Sequence, residues 1–516
     1  MAAQQNLALL EGVRGLPGQR GNVDSASSSG DHLTKSSSRS EGRERAVAVV
    51  VLAAGESKRF KSRTPKVLHD LCGLPIIAHV LRRLAPLGAS RTVLVVGREA
   101  GAVKEAVKRV ASKIRFAEQV SRLGTADAAR IGDEALGAFK GDVLITPGDT
   151  PLLDPATMRD LLDRHRATGA AATVLSARFD DPGGYGRIVR DPDGGVARIV
   201  EHADATEAER AIGECNAGVY VFDRAALRSA LTKVEAANRQ GELYLTDVIE
   251  ILKDKGERIE AYVAPDATQV FGINDRAHLA EAAAIVRAAI AADMMRAGVT
   301  IEDPATTYID ATVTAGPDTI IRPMTFLRGA TTIGRGCVIG PEAELIDCTL
   351  GDAVTISRAV AREVSLEKGA TVGPYASLRP GTVLKAGAKA GTFVEMKQTT
   401  VGRGSKVPHL SYMGDATIGS GSNIGAGTIT CNYDGETKRK SKTLIGDGVL
   451  VGSDTMLVAP VTLAKWAVTG AGSVVTQDVA ANTVVAGVPA TPRRKRRPAP
   501  KAKASNTSAK KKGKQK

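Results

Sequence analysis

The first organised hydrophobic pattern begins at Ala46. The run AVAVVVLAA is apolar throughout and does not alternate, as expected of a strand buried on both faces. A turn follows, then a helical stretch over 76–87 and a second apolar strand, TVLVV, over 92–96. A helix near 126–136 and the strand DVLIT over 142–146 continue the alternation. Buried strands alternating with helices predict a parallel sheet covered on both sides, with ligands gathering beyond the carboxyl ends of its strands. Two of those ends carry Gly55 and Asp149.

Residues 277–298 are alanine-rich, without Pro or internal Gly before Gly298, and predict one long helix. After it the period changes to six. Aliphatic residues, often followed by Gly, recur as Ile333-Gly334 and Ile339-Gly340, then Val372-Gly373, Leu378 and Leu384. The same step returns at Ile418, Ile424, Ile445, Val451, Leu457 and Leu463. Six matches neither a helix nor a strand alone. It matches a coil of short strands in which every sixth side chain enters a narrow prism. A loose Gly-rich region would not hold that phase.

These shifts divide the chain into an extension over 1–45, an α/β domain over 46–276, a linker helix over 277–298, a hexad-repeat domain over 299–490 and a basic tail over 491–516. The extension is rich in Ser, Gly and charge, and both ends are expected to be disordered. Length agrees with more than one core, since the chain has 516 residues. Only 3% of residues are aromatic, which suits a prism filled by small side chains.

Of the net charge of +14, residues 493–516 supply 12 Lys and Arg with no acid, so only +2 belongs to the rest. The body is nearly neutral and gives no reason to expect specific nucleic-acid binding. Five cysteines lie scattered without a CxxC pair, which argues against a disulfide framework or zinc site and fits a reducing cytoplasm. No apolar run suffices for a membrane span, and the N-terminus lacks the features of a signal peptide.

The segment LAAGESKRFKSRTPKVL over 52–68 follows the first buried strand. Its Gly-rich turn lets backbone N–H groups approach phosphate, and Arg59 and Lys66 add positive charge. The spacing is neither a Walker loop nor GxGxxG, so alone it competes evenly with an ordinary basic loop. PGDTPLL over 147–153 puts Asp149 at a strand end, where it could hold a hard divalent cation or simply cap a turn.

LAAGESKRF…PKVL, LGTADA, GDTPLL, GYGRI, IVEH, CNAGVY and GINDR, in that order, resemble the sugar-1-phosphate nucleotidyltransferases. With the hexad domain attached, the chain from about 46 to 489 resembles the bifunctional N-acetylglucosamine-1-phosphate uridyltransferase / glucosamine-1-phosphate N-acetyltransferase family. The resemblance implies a Rossmann-like nucleotidyltransferase domain joined by a long helix to a left-handed parallel β-helix. It implies synthesis of UDP-N-acetylglucosamine from glucosamine-1-phosphate, acetyl-CoA and UTP, with Mg²⁺, in a homotrimer.

It also implies roles. Leu52, Ala54 and Gly55 would hold the nucleotide, Arg59 and Lys66 its phosphates, and Gln119, Gly124 and Thr125 the uracil. Asp149 and Asn274 would hold the metal. Gly186, Glu201, Asn216 and Asn274 would hold N-acetylglucosamine. Pro147 stands where this family often has Tyr. Tyr185 and Tyr220 are expected to be packing residues.

In the hexad domain, His409 interrupts the repeat in KVPHLSYMGD, close in sequence to Tyr412, Asn423, Asn432 and Tyr433. Most lone histidines are structural, but acetyl transfer to an amine needs the neutral amine, and a base with pKa ~6.5 suits that task. The resemblance assigns that base to His409 and the sugar phosphate to Arg379 and Lys397, with Tyr412 and Asn423 also on the sugar. Ala426, Asn432, Tyr433, Ser453 and Ala471 would meet acetyl-CoA. The family's late CoA-contacting arginine has no clear counterpart, although Arg493 and Arg494 lie near its slot. Cys431 lacks a flanking cation and is expected to be structural.

Two rivals use the same folds. One is a single-activity sugar nucleotidyltransferase with a scaffold β-helix. The other is a translation exchange-factor subunit acting as an interaction protein. The first has no chemical need for His409, Arg379 and Lys397, and the second none for LAAG…R…PK with two candidate metal ligands.

Overall fold

The computed structural model describes residues 45–55, 58–97, 100–111 and 113–496. The expected extension over 1–45 falls outside it except for Arg45, as does 497–516 of the expected tail.

The first hydrophobic run forms the strand Val47–Ala53 inside a nine-stranded sheet. Parallel neighbours Arg91–Val96 and Asp142–Pro147 flank it. Alternate residues of this strand feed two cores. Ala48 and Val50 pack on one side and Val47, Val49 and Val51 on the other. That is why the run shows no polar alternation.

The sheet is mixed, not parallel throughout as expected. Glu214–Asp223 runs antiparallel to both Asp142–Pro147 and Ala172–Arg178. No crossover helix precedes it. The hairpin Arg187–Arg190 with Val196–Val200 and the short capped turn Glu207–Arg210 come before it, so the chain enters from the opposite end.

The linker helix spans Arg276–Arg296 and is capped by Asp275, whose carboxylate accepts from the Ala277 and His278 amides. Its first half packs against Phe60, Leu71 and Ile76, and its end contributes Ile290 and Met294 to the next core. A backbone hydrogen bond from Ala311 N to Cys72 O (2.9 Å) ties the first coils directly to the α/β domain.

From Thr300 the chain winds through short strands forming three faces of twelve, ten and nine strands, parallel except for the last strand of the first face, in keeping with the left-handed β-helix implied by the family resemblance. Successive strands of the first face send Ile339, Ile356, Val372, Ala390, Val407, Ile424 and Val451 inward, all buried. Most coils advance by 16 to 18 residues, but one advances by 27 because the loop around Tyr433–Lys440 is extruded.

Residues 491–496, expected to belong to the disordered tail, are structured. Thr491–Lys495 forms an antiparallel strand on Thr483–Ala486. Arg496 then donates to Gly448 O (2.7 Å) and Trp466 O (3.2 Å), with its guanidinium 5.1 Å from the indole centroid. Backbone pairing and this clasp order a segment that has no apolar pattern of its own.

Candidate active sites

A cleft of about 900 Å³ opens at the carboxyl ends of the central strands. Leu52, Ala54, Gly55, Arg59, Lys66, Gln119, Gly124, Thr125, Asp149, Glu201, Asn216 and Asn274 all line it. Gly186 does not, but its carbonyl accepts from the Asn216 amide (2.9 Å), directly behind the wall.

The two cations meet the two candidate metal ligands. The Lys66 ammonium pairs with the Asp149 carboxylate, and Arg59 Nη2 donates to Asn274 Oδ1 (3.0 Å). Ile273 N donates to Asp149 O (3.0 Å), which clamps the Asn274 segment beside Asp149. Asp149 and Asn274 offer hard oxygen donors. So small a set suits Mg²⁺, which keeps waters and substrate phosphates as its other ligands.

At the other end of the cleft, Gln119 Nε2 donates to Asp127 Oδ2 (2.9 Å) and Gly124 O (3.0 Å). Gly124 has φ +123° at the start of the helix Thr125–Ala135, and an added Cβ would stand 2.3 Å from Leu243 O. Only glycine fits there. Thr125 Oγ1 accepts from Leu245 N (2.9 Å), so residues near 243–245 are fastened over this end.

Glu201 is largely buried, which pushes its carboxyl up, and it accepts from Thr246 Oγ1 (3.2 Å). Asn216 Nδ2 donates to the Tyr220 hydroxyl (2.7 Å). Tyr220 packs in the core as expected, yet it also lines the cleft. Tyr185 stacks on Phe179 at 5.1 Å. Pro147 lines the cleft too. Sequence reasoning missed Arg122, Gln240, Glu242, Leu245 and Thr246, which belong to no motif.

On the β-helix, His409 ends the strand Lys406–His409 and is exposed. Strand register and the hydrogen bonds Asp454 N to Ala426 O (2.7 Å) and Gly472 N to Ser453 O (2.8 Å) put His409, Ala426, Ser453 and Ala471 in one track on four successive coils. Asn423 begins the next strand of the same face, paired with Lys406.

The neighbouring face carries a second track. Arg379 and Lys397 follow one another in register, and Lys397 pairs with Gly414. Arg379 Nη1 donates to Glu395 Oε1 (3.0 Å). A Cβ on Gly414 would lie 2.5 Å from the Tyr412 hydroxyl and 2.7 Å from Asn432 Nδ2, so both polar groups fold over that glycine. Asn432 Nδ2 also donates to Asp415 Oδ2 (2.5 Å). Tyr433 is exposed on the extruded loop. Burial pushes the Cys431 thiol up, away from a reactive thiolate. Among the described residues, no three His, Cys, Asp or Glu side chains could jointly hold a metal.

A MobA-like NTP transferase domain family matches residues 49–249. The chain is 51% identical to the bifunctional protein GlmU of Mycolicibacterium vanbaalenii over 440 residues, covering 84% of this chain and 89% of that protein. It is 49% identical to the proteins of that name from Thermobifida fusca and Mycobacterium bovis, again across 84% of this chain, and across 90% and 88% of theirs.

Proposed function

The chain belongs to the family of bifunctional GlmU proteins, and from that premise we propose how its two sites divide the work. It is an enzyme of UDP-N-acetylglucosamine synthesis with uridyltransferase and acetyltransferase activities. The single-activity and interaction-protein readings are thereby set aside. Its substrates include nucleotides, and a divalent metal accompanies them.

In the α/β cleft the phosphate oxygen of N-acetylglucosamine-1-phosphate attacks the α-phosphorus of UTP. The α–β bridging bond breaks and pyrophosphate leaves. The Gly55 turn presents backbone N–H groups to the phosphates, and Arg59 and Lys66 neutralise their charge. Gln119, Gly124 and Thr125 hold the uracil, while Glu201 and Asn216, with Gly186 behind them, hold the sugar. Asp149 and Asn274 would hold Mg²⁺, which when bound supplies further neutralisation of phosphate charge. No strong base is required, because the attacking oxygen is already anionic.

On the β-helix, His409 accepts a proton from the glucosamine amine. The amine attacks the thioester carbonyl of acetyl-CoA, an amide bond forms, and the C–S bond breaks to release CoA thiol. Arg379 and Lys397 take the sugar phosphate, with Tyr412 and Asn423 on the sugar. Acetyl-CoA follows the track of Ala426, Ser453 and Ala471, with Asn432 and Tyr433 alongside.

The reading extends to a cytoplasmic homotrimer. Tyr375, Phe393 and Leu410 stand at one corner on consecutive coils, 56%, 57% and 60% exposed. Each takes a positive φ that bulky residues adopt at a cost of ~1 kcal/mol or more, where the next coil uses Gly427. Bulk kept there at a cost, next to His409, supports burial against another copy. Among the described residues, no helix is long and apolar enough to cross a membrane.

The observation that carries the uridylyl assignment is the convergence of Arg59, Lys66, Asp149 and Asn274 in one cleft. The test is a paired assay. Pyrophosphate is measured with UTP, Mg²⁺ and N-acetylglucosamine-1-phosphate, and free thiol with acetyl-CoA and glucosamine-1-phosphate. Silence in either arm removes the corresponding assignment.

A further inference from the structure

Resting on the assignment of Gln119 to the nucleobase, we infer that Asp127 is a positioning residue that makes the cleft select a uracil over a cytosine. Asp127 is 4% exposed and lies in the first turn of the helix Thr125–Ala135. Its two carboxylate oxygens have separate tasks. Oδ1 is held by Arg130 Nη2 (2.6 Å), and Oδ2 accepts from Gln119 Nε2 (2.9 Å). Arg130 is itself fixed by Glu134 Oε1 (2.7 Å), so the carboxylate is anchored from outside the cleft.

The second Nε2 hydrogen of Gln119 goes to Gly124 O (3.0 Å). Both partners of this nitrogen are acceptors only. Turning the amide over would bring oxygen against a carboxylate and a carbonyl at once, so the amide has one orientation. Its two donors are consumed inside the wall. Its carbonyl oxygen has no partner among the described residues, is not sealed from solvent, and belongs to a side chain lining the cleft.

A fixed lone acceptor reads N3 of a pyrimidine. Uracil offers N3–H and completes the hydrogen bond. Cytosine offers a lone pair at N3 and is repelled. Sites built around a specific donor discriminate strongly against analogues lacking it, because the buried partner is left unpaired. Asp127 touches neither base nor phosphate. It acts by denying Gln119 its alternative orientation.

The test is the ratio of kcat/KM for UTP over CTP in pyrophosphate release by the full-length chain. In Asp127→Asn, turning the amide sacrifices one contact where the wild type would lose two. The ratio is expected to fall roughly tenfold or more, mainly through the KM of the nucleotide, with the KM for N-acetylglucosamine-1-phosphate unchanged. Thermal melting and thiol release check that the variant is folded. Wild-type enzyme supplies a second measurement: 3-methyl-UTP, which lacks N3–H, should react about 100-fold more slowly than UTP. A folded D127N enzyme that keeps the wild-type ratio, or a wild type that accepts 3-methyl-UTP as readily as UTP, overturns the inference while leaving the uridylyl reading standing. A wild type releasing no pyrophosphate from UTP overturns both.

Discussion

The Lys66 ammonium is paired with the Asp149 carboxylate across 83 residues of sequence. The lysine lies beyond the turn at Gly55 and the aspartate just past the end of a different strand, so the fold itself brings the cation and the carboxylate together. A group that moves a phosphoryl needs both signs at one point, to gather the phosphates and to hold a cation among them.

Replacing Asp149 by Asn keeps the shape and removes the charge. Pyrophosphate release is expected to fall at least ~100-fold, with thiol release unaltered, since loss of a charge-stabilising contact costs roughly that factor. Parallel assays of one preparation check both halves.

Replacing His409 by Ala should have the opposite pattern. Thiol release is expected to drop by about 100-fold or more, the range of a lost general base, with pyrophosphate release within twofold of wild type. Equal loss in both assays would show that the sites are coupled.

Gly124→Ala would set a methyl group 2.3 Å from Leu243 O at φ +123°. The expected cost is roughly 2 kcal/mol or more, from strain and displacement of the loop near Leu243. Melting of the α/β domain should shift downward, and the KM for UTP should rise.

Asp247 is half-buried, and burial, then Glu250 and Asp204, push its carboxyl up to about 6. Its pKa in the unfolded chain is near 3.8, so between pH 4 and 6 the folded state holds the extra proton. Its contribution to stability therefore falls as pH rises through that window and remains unfavourable above it. Asp247→Asn should raise stability at pH 7 by about 1 kcal/mol, after allowing for solvent screening, and have little effect at pH 4. Denaturant midpoints at the two pH values check the sign.

The chain has a single tryptophan, Trp466, and Arg496 stacks on it. Truncation after Arg496 should leave its fluorescence and both activities unchanged. Truncation after Ala490 should shift the emission, because the clasp and the strand Thr491–Lys495 go together.

Much of this molecule was legible in its sequence because the legible parts repeat or concentrate chemistry. The prism sets every inward position, so Ile339, Ile356 and Val372 announce it. Gly55 and Asp149 stand just past strand ends, where ligands gather. What escaped depends on partners distant in sequence. Gln240 and Thr246 reach the cleft because their loop is fastened to Thr125 and Ala126, and no local pattern records that. Asp127 reads as an ordinary acid in a first helical turn, and its purpose appears only once Gln119 is seen beside it. Thr491–Lys495 is too basic to look like a strand. The reversed direction of Glu214–Asp223 depends on the hairpin before it.

The final strand has a consequence beyond the tail. A stack of identical-pitch coils ends in open backbone, a template onto which another molecule's coils could add without limit. Thr491–Lys495 runs backwards across one of the three terminal edges. The backward strand removes the parallel partner that a forward coil of another copy would need, so on that edge Thr491–Lys495 interrupts end-to-end growth by the coil's own pairing.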